Sequence, residues 1–123
     1  DELIKIGYCP AKIDDILNYI PSRIAGLCVV VSAFLLGLDW KQSFNVMMRD
    51  ARNCPSPNSG YTMATTAGAL NIQLIKKDTY ILGDNNKDID ADDITKAVNL
   101  SKLSIILFTL FIIILFTLIY VIL

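Results

Sequence analysis

Residues 103–123 read LSIILFTLFIIILFTLIYVIL and contain no charged residue, glycine or proline. At about 1.5 Å per residue, a helix of this length spans roughly the 30 Å hydrocarbon core of a bilayer. Its polar side chains are hydroxyls, on Ser104, Thr109, Thr117 and Tyr120. Serine and threonine hydroxyls can bond back to the preceding helical turn, so they cost little in lipid. The stretch therefore predicts a terminal transmembrane helix.

The residues before this stretch predict that the same helix begins in solvent. Asp90 is a good amino-terminal cap, and Asp92 and Asp93 fall in the first turn beside the positive end of the helix dipole. No glycine or proline interrupts the chain after Asp90. Lys96 and Lys102 precede the apolar stretch and no basic residue follows it, so the positive-inside rule places the preceding polar region in the cytoplasm.

A second apolar block, IAGLCVVVSAFLLGL, covers residues 24–38. Its charge-free length of about fifteen residues falls between a membrane span and a buried or re-entrant helix. Pro21 suits the first turn of a helix that begins there, and Arg23 can extend its charged end to the membrane interface. A short span and a re-entrant helix both fit this block.

The sequence predicts a mainly α membrane protein fragment in four segments. Residues 1–23 form an amphipathic entry segment with an Asp-Asp motif, 24–38 a short membrane-embedded or re-entrant helix, 39–102 a polar loop region and 103–123 the transmembrane helix. Within the loop region, two helices are expected at residues 42–48 and 62–70, a turn-rich loop at 55–60 and a small β-hairpin from 72–75 and 79–82.

Composition excludes several classes of function. The 123 residues are 54% hydrophobic and include no histidine, so a Ser-His-Asp triad and a histidine-ligated metal site are both excluded. Eleven basic residues against twelve acidic ones, spread along the chain, lack the clustered basic surplus that nucleic acid requires. The expected surroundings are membrane lipid, with no nucleic-acid partner.

One polar constellation could carry chemistry in the loop region. It consists of Arg49-Asp50-Ala51-Arg52 followed by Pro55-Ser56-Pro57-Asn58-Ser59-Gly60 and a predicted helix start. Guanidinium groups, hydroxyls, an amide and the N–H groups of a helix end are the donors that a phosphate or carboxylate ligand needs. The alternative is a solvated loop with structural proline turns.

A second constellation is the pair Asp14 and Asp15, with Arg23 a few residues further on. Adjacent carboxylates near a membrane helix could hold a magnesium ion that carries substrate phosphates. They could equally be charges that favour the positive end of a helix dipole. Asp84, which follows a glycine, is a further candidate carboxylate or a simple turn residue.

These residues resemble the carboxy-terminal part of the CobD/CbiB family. The resemblance rests on Ile13 to Arg23 (IDDILNYIPSR), Arg49-Asp50-Ala51 with the PSPNSG run, Ala67 to Leu70 and Tyr80 to Asp84, in this order and spacing. It implies a multi-pass protein of the cell membrane, an adenosylcobinamide-phosphate synthase of cobalamin biosynthesis. Members join aminopropanol or its phosphate to cobyric acid through an amide bond. Here Tyr61-Thr62-Met63 replaces the aromatic and Pro-Glu residues that often follow the family's N-x-G.

The resemblance also implies roles for the candidate residues, with ATP and Mg²⁺ as co-substrate and metal and a corrinoid as substrate. The expected catalytic residues are Arg49, Asp50 and Arg52, with Asp50 also a possible metal ligand. The expected substrate-binding residues are Ser56, Asn58, Ser59, Gly60 and Arg23. The expected metal ligands are Asp14, Asp15 and Asp84.

Two consequences follow for the chain as a whole. The family's amino-terminal membrane helices are expected as partners, so this fragment is not expected to be active alone. If Asp14, Asp15 and Arg49 belong to one site, residues 24–38 cannot be a simple span between them. The alternative function is a non-catalytic membrane anchor or assembly subunit whose polar loop docks a soluble partner.

Overall fold

The computed structural model describes residues 2–55 and 58–123, and the side chains of residues 2–9 and 11 fall outside that description. The described chain is mainly helical, with one short antiparallel hairpin. Its elements are α1 (Glu2–Leu35), α2 (Trp40–Asp50), a 3₁₀ turn (Ala51–Asn53), α3 (Gly60–Leu70), β1 (Gln73–Lys76), β2 (Tyr80–Gly83) and α4 (Ala91–Ile122).

Helix α1 runs without a break through the expected entry segment and most of the expected short helix. Pro10 and Pro21 both lie inside one continuous helix, so the expectation that a helix starts at Pro21 is wrong. A proline removes one helical hydrogen bond, so the Leu17 carbonyl oxygen, four residues before Pro21, loses its usual N–H donor. Two side chains that follow Pro21 add hydrogen bonds to a nearby carbonyl. Ser22 Oγ and Arg23 Nη1 donate to the Tyr19 carbonyl oxygen at 3.1 and 2.7 Å. The apolar residues from Ile24 onward therefore continue a helix that begins at Glu2.

The helix ends in a glycine turn before α2 begins. Gly37 has a φ of +74°, a conformation that glycine adopts at little cost. The Leu38 N–H donates to the Ala33 carbonyl oxygen at 2.8 Å, which satisfies one of the last carbonyls of the helix. The chain therefore reverses within a few residues, and α2 can fold back along α1.

Helices α1, α2 and α3 pack closely because glycines lie at their crossings. A Cβ added at Gly26 would lie 2.9 Å from Met47 Sδ, and one added at Gly68 would lie 2.5 Å from the Gln42 carbonyl oxygen. Residues of α2, the 3₁₀ turn, α3 and β2 form the main core: Val46, Met47, Ala51, Cys54, Tyr61, Ala64 and Leu82.

Helix α4 packs antiparallel to α1. A second core cluster joins Val29 and Ala33 of α1 to Leu100 of α4 and Ala69 of α3. Deeper along α4, Ser104 Oγ donates to Ser32 Oγ at 3.2 Å in a buried contact. The two helices therefore share a polar contact within an otherwise apolar interface.

The expected helices and hairpin of the polar region are confirmed, with small shifts in their bounds. Residues 56 and 57 of the expected loop at 55–60 lie outside the described residues. The strands pair antiparallel, with Leu74 opposite Leu82. Asn71 caps the carboxyl end of α3 at a φ of +55°. Asp90 accepts from the Asp93 N–H and completes a reciprocal capping box at the start of α4. The predicted continuous helix from Asp90 into the apolar stretch is thus confirmed as a helix.

Two helical stretches are long and apolar enough to cross a membrane, Lys12–Leu35 and Ala91–Ile122. They differ in burial. In the most apolar part of α4 no residue is buried, whereas 28% of the corresponding part of α1 is buried by the other helices. For both helices, the evidence for a position in the membrane is the length of the helix and its apolar composition.

Candidate functional site

Arg49, near the end of α2, forms a forked ion pair with its neighbour Asp50. Its Nε donates to Asp50 Oδ1 at 2.9 Å and its Nη2 to Asp50 Oδ2 at 2.8 Å. The same guanidinium reaches Asp84 after β2, with Nη2 3.0 Å from Asp84 Oδ1. Two carboxylates therefore hold one guanidinium, and they raise the pKa of Arg49 further above its ordinary value.

Asp50 also ties α2 to the end of the hairpin. Its buried carboxylate accepts from the Gly83 N–H at 2.8 Å, and Asn53 Nδ2 lies 3.5 Å from Oδ1. Hydrogen bonding from Arg49 holds the pKa of the Asp50 carboxyl below its usual range, and burial opposes this shift only in part. We name Arg49, Asp50 and Asp84, with Asn53 and Gly83, the arginine clamp.

We expect acid to remove the stabilising effect of Asp50. Because the folded state lowers the pKa of its carboxyl, this effect is complete above the unfolded pKa of about 3.9. It is then lost as the pH falls through the lower folded pKa. The pH dependence of this stabilisation is measured by thermal unfolding in detergent, from pH 7 to pH 3, of the full-length protein and of its Asp50→Asn variant. The stability gap between the two proteins should narrow below about pH 4, and a gap that stays constant contradicts the assignment.

A second polar cluster joins α1 to the loop before α3. Asn58 Nδ2 donates to the Asp15 carbonyl oxygen at 2.8 Å, and Asn58 Oδ1 accepts from Arg23 Nη1 at 3.3 Å. The Arg23 guanidinium lies over the rings of Tyr19 and Tyr61, with Cζ 3.4 and 4.5 Å from their centroids. Stacking on aromatic faces of this kind favours arginine over lysine.

Beside this second cluster lies an open groove of about 480 Å³. Five of its eight lining residues carry polar side chains, and Phe108 of α4 lies on one side. Asp14 contributes a carboxylate whose Oδ1 accepts from Asn18 Nδ2 at 3.0 Å. The polar groove is lined by Asp14, Asn18, Pro21, Ser22, Ala25, Asn58, Ser59 and Phe108.

In the structure, the expected site residues are divided between the arginine clamp and the polar groove. Arg49, Asp50 and Asp84 form the arginine clamp, whereas Asp14, Asn58 and Ser59 line the polar groove and Arg23 and Asp15 lie beside it. Among the described residues, no hydrogen bond or ion pair joins the clamp to the groove. Ser56 lies outside the described residues, so its expected role in binding has no structural account.

Arg52, Gly60 and Arg23, three further expected site residues, have different surroundings in the structure. Arg52 is exposed and has no hydrogen bond or ion pair to any residue that the structure describes. Gly60 is buried, and a Cβ added there would lie 1.9 Å from the Ala51 carbonyl oxygen. Gly60 therefore allows two backbone segments to touch. Arg23, expected to extend toward a membrane interface, stacks on two tyrosines.

The acidic residues do not assemble into one metal cluster. Within residues 2–55 and 58–123, no three Asp, Glu or Cys side chains are grouped so as to hold a metal ion. Asp84 lies with Arg49, and its Oδ2 accepts from Gln42 Nε2 at 3.1 Å. The expected set of Asp14, Asp15 and Asp84 is therefore not brought together as a single group of ligands.

Sequence reasoning did not identify Asn53 and Gly83 in the clamp, Gln42 beside it, or the stacking of Tyr61 on Arg23. Adjacent residues such as Arg49 and Asp50 do not normally face each other on a helix, so their pairing has no spacing signal. Gly83 carries a weak signal, because a glycine that ends a strand often marks a turn with positive φ. Its φ is +82°.

Taken together, these elements define a helical protein with two membrane-length helices, an arginine clamp and a polar groove against the longer apolar helix. The CobD/Cbib protein family model matches residues 1–101, which include the clamp and all of the groove except Phe108. The chain belongs to the CobD/CbiB family.

The curated relatives carry a consistent name. The probable cobalamin biosynthesis protein CobD of Methanothermobacter thermautotrophicus is 56% identical over 105 residues, covering 85% of this chain and 35% of the relative. The cobalamin biosynthesis protein CobD of Leptospira interrogans is 38% identical over 122 residues, covering 93% and 39%. The chain therefore spans between a third and two fifths of these relatives. No solved structure matches it.

Proposed function

We propose that this chain is part of a membrane-bound amide ligase of cobalamin biosynthesis. The reaction joins aminopropanol or its phosphate to a propionate carboxyl of cobyric acid and gives cobinamide or its phosphate. Membership of the CobD/CbiB family carries the proposal, because the matched residues include the clamp and nearly all of the groove. The names of the relatives, cobalamin biosynthesis protein CobD, support the pathway.

Amide formation from a carboxylate needs activation, which ATP supplies in the proposed reaction. The γ-phosphoryl group passes to the propionate oxygen and ADP leaves, and the amine then displaces phosphate as the amide bond forms. Charge on the transferred group is best stabilised by fixed cationic and N–H donors. Exposed Arg52 and the Ser59 hydroxyl, which makes no capping hydrogen bond to α3, are the donors we assign to phosphate.

The clamp has a positioning role in this proposal. Two carboxylates already use the Arg49 guanidinium, and Asp50 is bonded on both oxygens. Arg49 and Asp50 therefore hold α2, the 3₁₀ turn and the hairpin together next to Arg52. In this proposal, Arg49 and Asp50 are not catalytic residues in contact with the ligand. They position the residues that do contact it.

The polar groove has one carboxylate, that of Asp14, which could serve as a ligand of a magnesium ion. Mg²⁺ usually takes one or two protein carboxylates and completes its shell with waters and substrate phosphates. Asp14 is exposed in the groove, so it is the residue that would hold the ion, whereas Asp84 is engaged by Arg49 and Gln42. The ion would neutralise negative charge on the phosphates.

The proposal places the protein in the cell membrane as a multi-pass chain, with its polar region in the cytoplasm. Helix α4 supports this position, because all of its large apolar side chains from Ile113 onward are exposed in the described structure. Such a surface is stable in lipid and would aggregate in water.

Membranes that contain the full-length protein test the activity. They are incubated with cobyric acid, ATP, Mg²⁺ and either aminopropanol or its phosphate, and corrinoid products are separated by chromatography. We expect cobinamide or its phosphate to form only with ATP present. Absence of product from correctly inserted protein, together with recovery of a bound soluble partner, would support an anchor or assembly subunit instead.

Asp14→Asn tests the magnesium assignment. The amide keeps the size of the side chain and its contact with Asn18 but removes the charge. We expect the Mg²⁺ concentration for half-maximal rate to rise about tenfold or more, which corresponds to about 1.4 kcal/mol of binding free energy. Asp88→Asn, at an exposed position before α4, is the matched control. An unchanged Mg²⁺ dependence in Asp14→Asn rules out this residue as the ligand.

A further inference from the structure

One side of α1 is apolar and exposed along most of the helix. Its side chains recur at intervals of three, four or seven positions, so they share one face. Each is at least 47% exposed, so the described chain leaves this face largely uncovered. Asp14, Asp15 and Arg23 fall at other positions of the repeat. We name the following residues the outer face of α1: Ile13, Leu17, Ile20, Leu27, Val31 and Phe34.

The polar region packs along nearly the whole length of α1. Near one end, Asn58 Nδ2 donates to the Asp15 carbonyl oxygen at 2.8 Å. Near the other end, Ala69 of α3 packs in one cluster with Ala33. From Asp15 to Ala33 a helix rises roughly 27 Å, which is close to the 30 Å thickness of the hydrocarbon core. If α1 crossed a membrane, the polar region would therefore lie at the depth of the hydrocarbon.

Exposed charges of the polar region lie between these two contacts. Met47 of α2 lies against Gly26, in the middle of the length that the polar region covers. Arg49 and Arg52 follow Met47 toward the loop that contacts Asp15, and both are exposed. Charged side chains inside a bilayer are costly and normally face protein or water. An α1 that lies along the membrane surface leaves both arginines in water, whereas a spanning α1 does not.

Helix α4 marks the level of the membrane surface. Its charge-free stretch begins at Leu103, and the next residue, Ser104, donates to Ser32 of α1 at 3.2 Å. Phe108, which borders α1 across the polar groove, lies about 7–8 Å further along α4. Helices that lie in a membrane interface bury their apolar face to a similar depth, about 5–10 Å. From Ile113 onward every residue of α4 is exposed, so α4 continues into the bilayer away from α1.

We propose that α1 lies along the cytoplasmic surface of the membrane and that its outer face binds the lipid of that leaflet. The partner is a lipid surface, with acyl chains under the outer face and headgroups at the ends of the helix. Lys12 near one end and Trp40 with Lys41 beyond the other are residue types found at headgroup level. Lys41 Nζ lies 5.7 Å from the centre of the Trp40 ring.

This inference rests on the proposed membrane position of α4 and goes beyond it. Helix α1 is long and apolar enough to span a bilayer, yet its packing assigns it to the interface. The polar groove then opens at the cytoplasmic surface, because Asp14 and Asn18 belong to α1. Polar ligands reach the groove from water without crossing hydrocarbon.

Depth measurements on the full-length protein test this orientation. The fluorophore NBD is attached to cysteines introduced by Ile13→Cys, Ile20→Cys, Leu27→Cys and Phe34→Cys in a variant without native cysteines, reconstituted into phosphatidylcholine vesicles. Quenching is compared between lipids that carry a nitroxide near the headgroup and lipids that carry it near the end of the acyl chain. We expect the shallow nitroxide to quench all of these positions at least twofold more than the deep one.

Two control positions calibrate the depth. At Ile114→Cys, in the part of α4 beyond α1, we expect the deep nitroxide to quench more than the shallow one. At Lys77→Cys, in the exposed turn of the hairpin, we expect neither nitroxide to quench. Deep quenching at Ile20→Cys and Leu27→Cys would show a span and overturn the proposal. No quenching on the outer face, with Ile114→Cys quenched, would mean that protein covers this face and would also overturn it.

Thiol labelling gives a second readout. Lys12→Cys and Lys41→Cys place a thiol near each end of the apolar part of α1, and Lys77→Cys marks the polar region. A membrane-impermeant maleimide is added to sealed vesicles of either orientation. We expect all three thiols to react at least tenfold faster when the cytoplasmic face is outward. Labelling of Lys12→Cys and Lys41→Cys from opposite sides would overturn the proposal.

These readouts do not depend on catalysis, so they separate this inference from the proposed function. A spanning depth pattern in vesicles that still carry out corrinoid amidation contradicts the orientation of α1 alone. Absence of deep quenching at Ile114→Cys contradicts the proposed membrane position of α4, and this inference with it.

Discussion

Gly60→Ala is expected to prevent the full-length protein from accumulating in the membrane. The added methyl group would lie 1.9 Å from the Ala51 carbonyl oxygen and 2.8 Å from its carbonyl carbon. Both atoms belong to the backbone, so no side-chain rotation can relieve the contact. Overpacking a core typically costs about 1–3 kcal/mol, and a fixed backbone contact places this variant at or above the top of that range.

The matched control for Gly60→Ala is Gly37→Asn. Gly37 has open space around its Cβ position, with no heavy atom within 4 Å, and its φ of +74° is one that asparagine tolerates. We expect near-normal accumulation of Gly37→Asn and loss of at least nine tenths of Gly60→Ala, measured by immunoblotting of membrane fractions. Equal accumulation of the two variants would contradict the close contact between Gly60 and Ala51.

Asp50→Ala is expected to destabilise the full-length protein by about 2–3 kcal/mol, because it leaves the buried Gly83 N–H without its acceptor. Loss of the ion pair adds little to this figure. The Arg49 side chain is 51% exposed, and solvent weakens such a pair. Arg49 also retains Asp84 as a partner. Unfolding in detergent, followed by tryptophan fluorescence, measures the change.

Asp50→Asn and Asp88→Ala complete this series. Asparagine keeps an oxygen that can accept from the Gly83 N–H, so we expect roughly half of the alanine effect. Asp88 is exposed, and its substitution should change stability by no more than about 0.5 kcal/mol. If Asp50→Ala were as stable as Asp88→Ala, Asp50 would have no role in tying α2 to the hairpin.

Local signals predicted much of the fold. The cap at Asp90 and the alternating strands around Lys77 each follow from interactions within a few residues. The continuity of α1 through Pro21 could not be predicted in this way. It depends on packing of the following turns against α2, α3 and α4.

The sequence predicted which residues belong to the candidate site, but it did not predict which side chains pair with each other. Asp14, Asn58 and Ser59 were expected to bind ligands, and they line one groove although more than forty positions separate Asp14 from Asn58. Arg49 and Asp84 were expected to have separate roles and form an ion pair instead. Such pairings depend on how distant elements pack, and a single sequence carries little information about that.

The hydrogen bond between Ser32 and Ser104 has a consequence for biosynthesis. Its two residues are 72 positions apart in the chain. At the usual elongation rate of about 5–20 residues per second, Ser104 is made roughly 4–14 seconds after Ser32. Helices α1, α2 and α3 can meet during that interval, whereas the α4 face of α1 stays uncovered. The Ser32 face of α1 therefore stays uncovered for several seconds of synthesis.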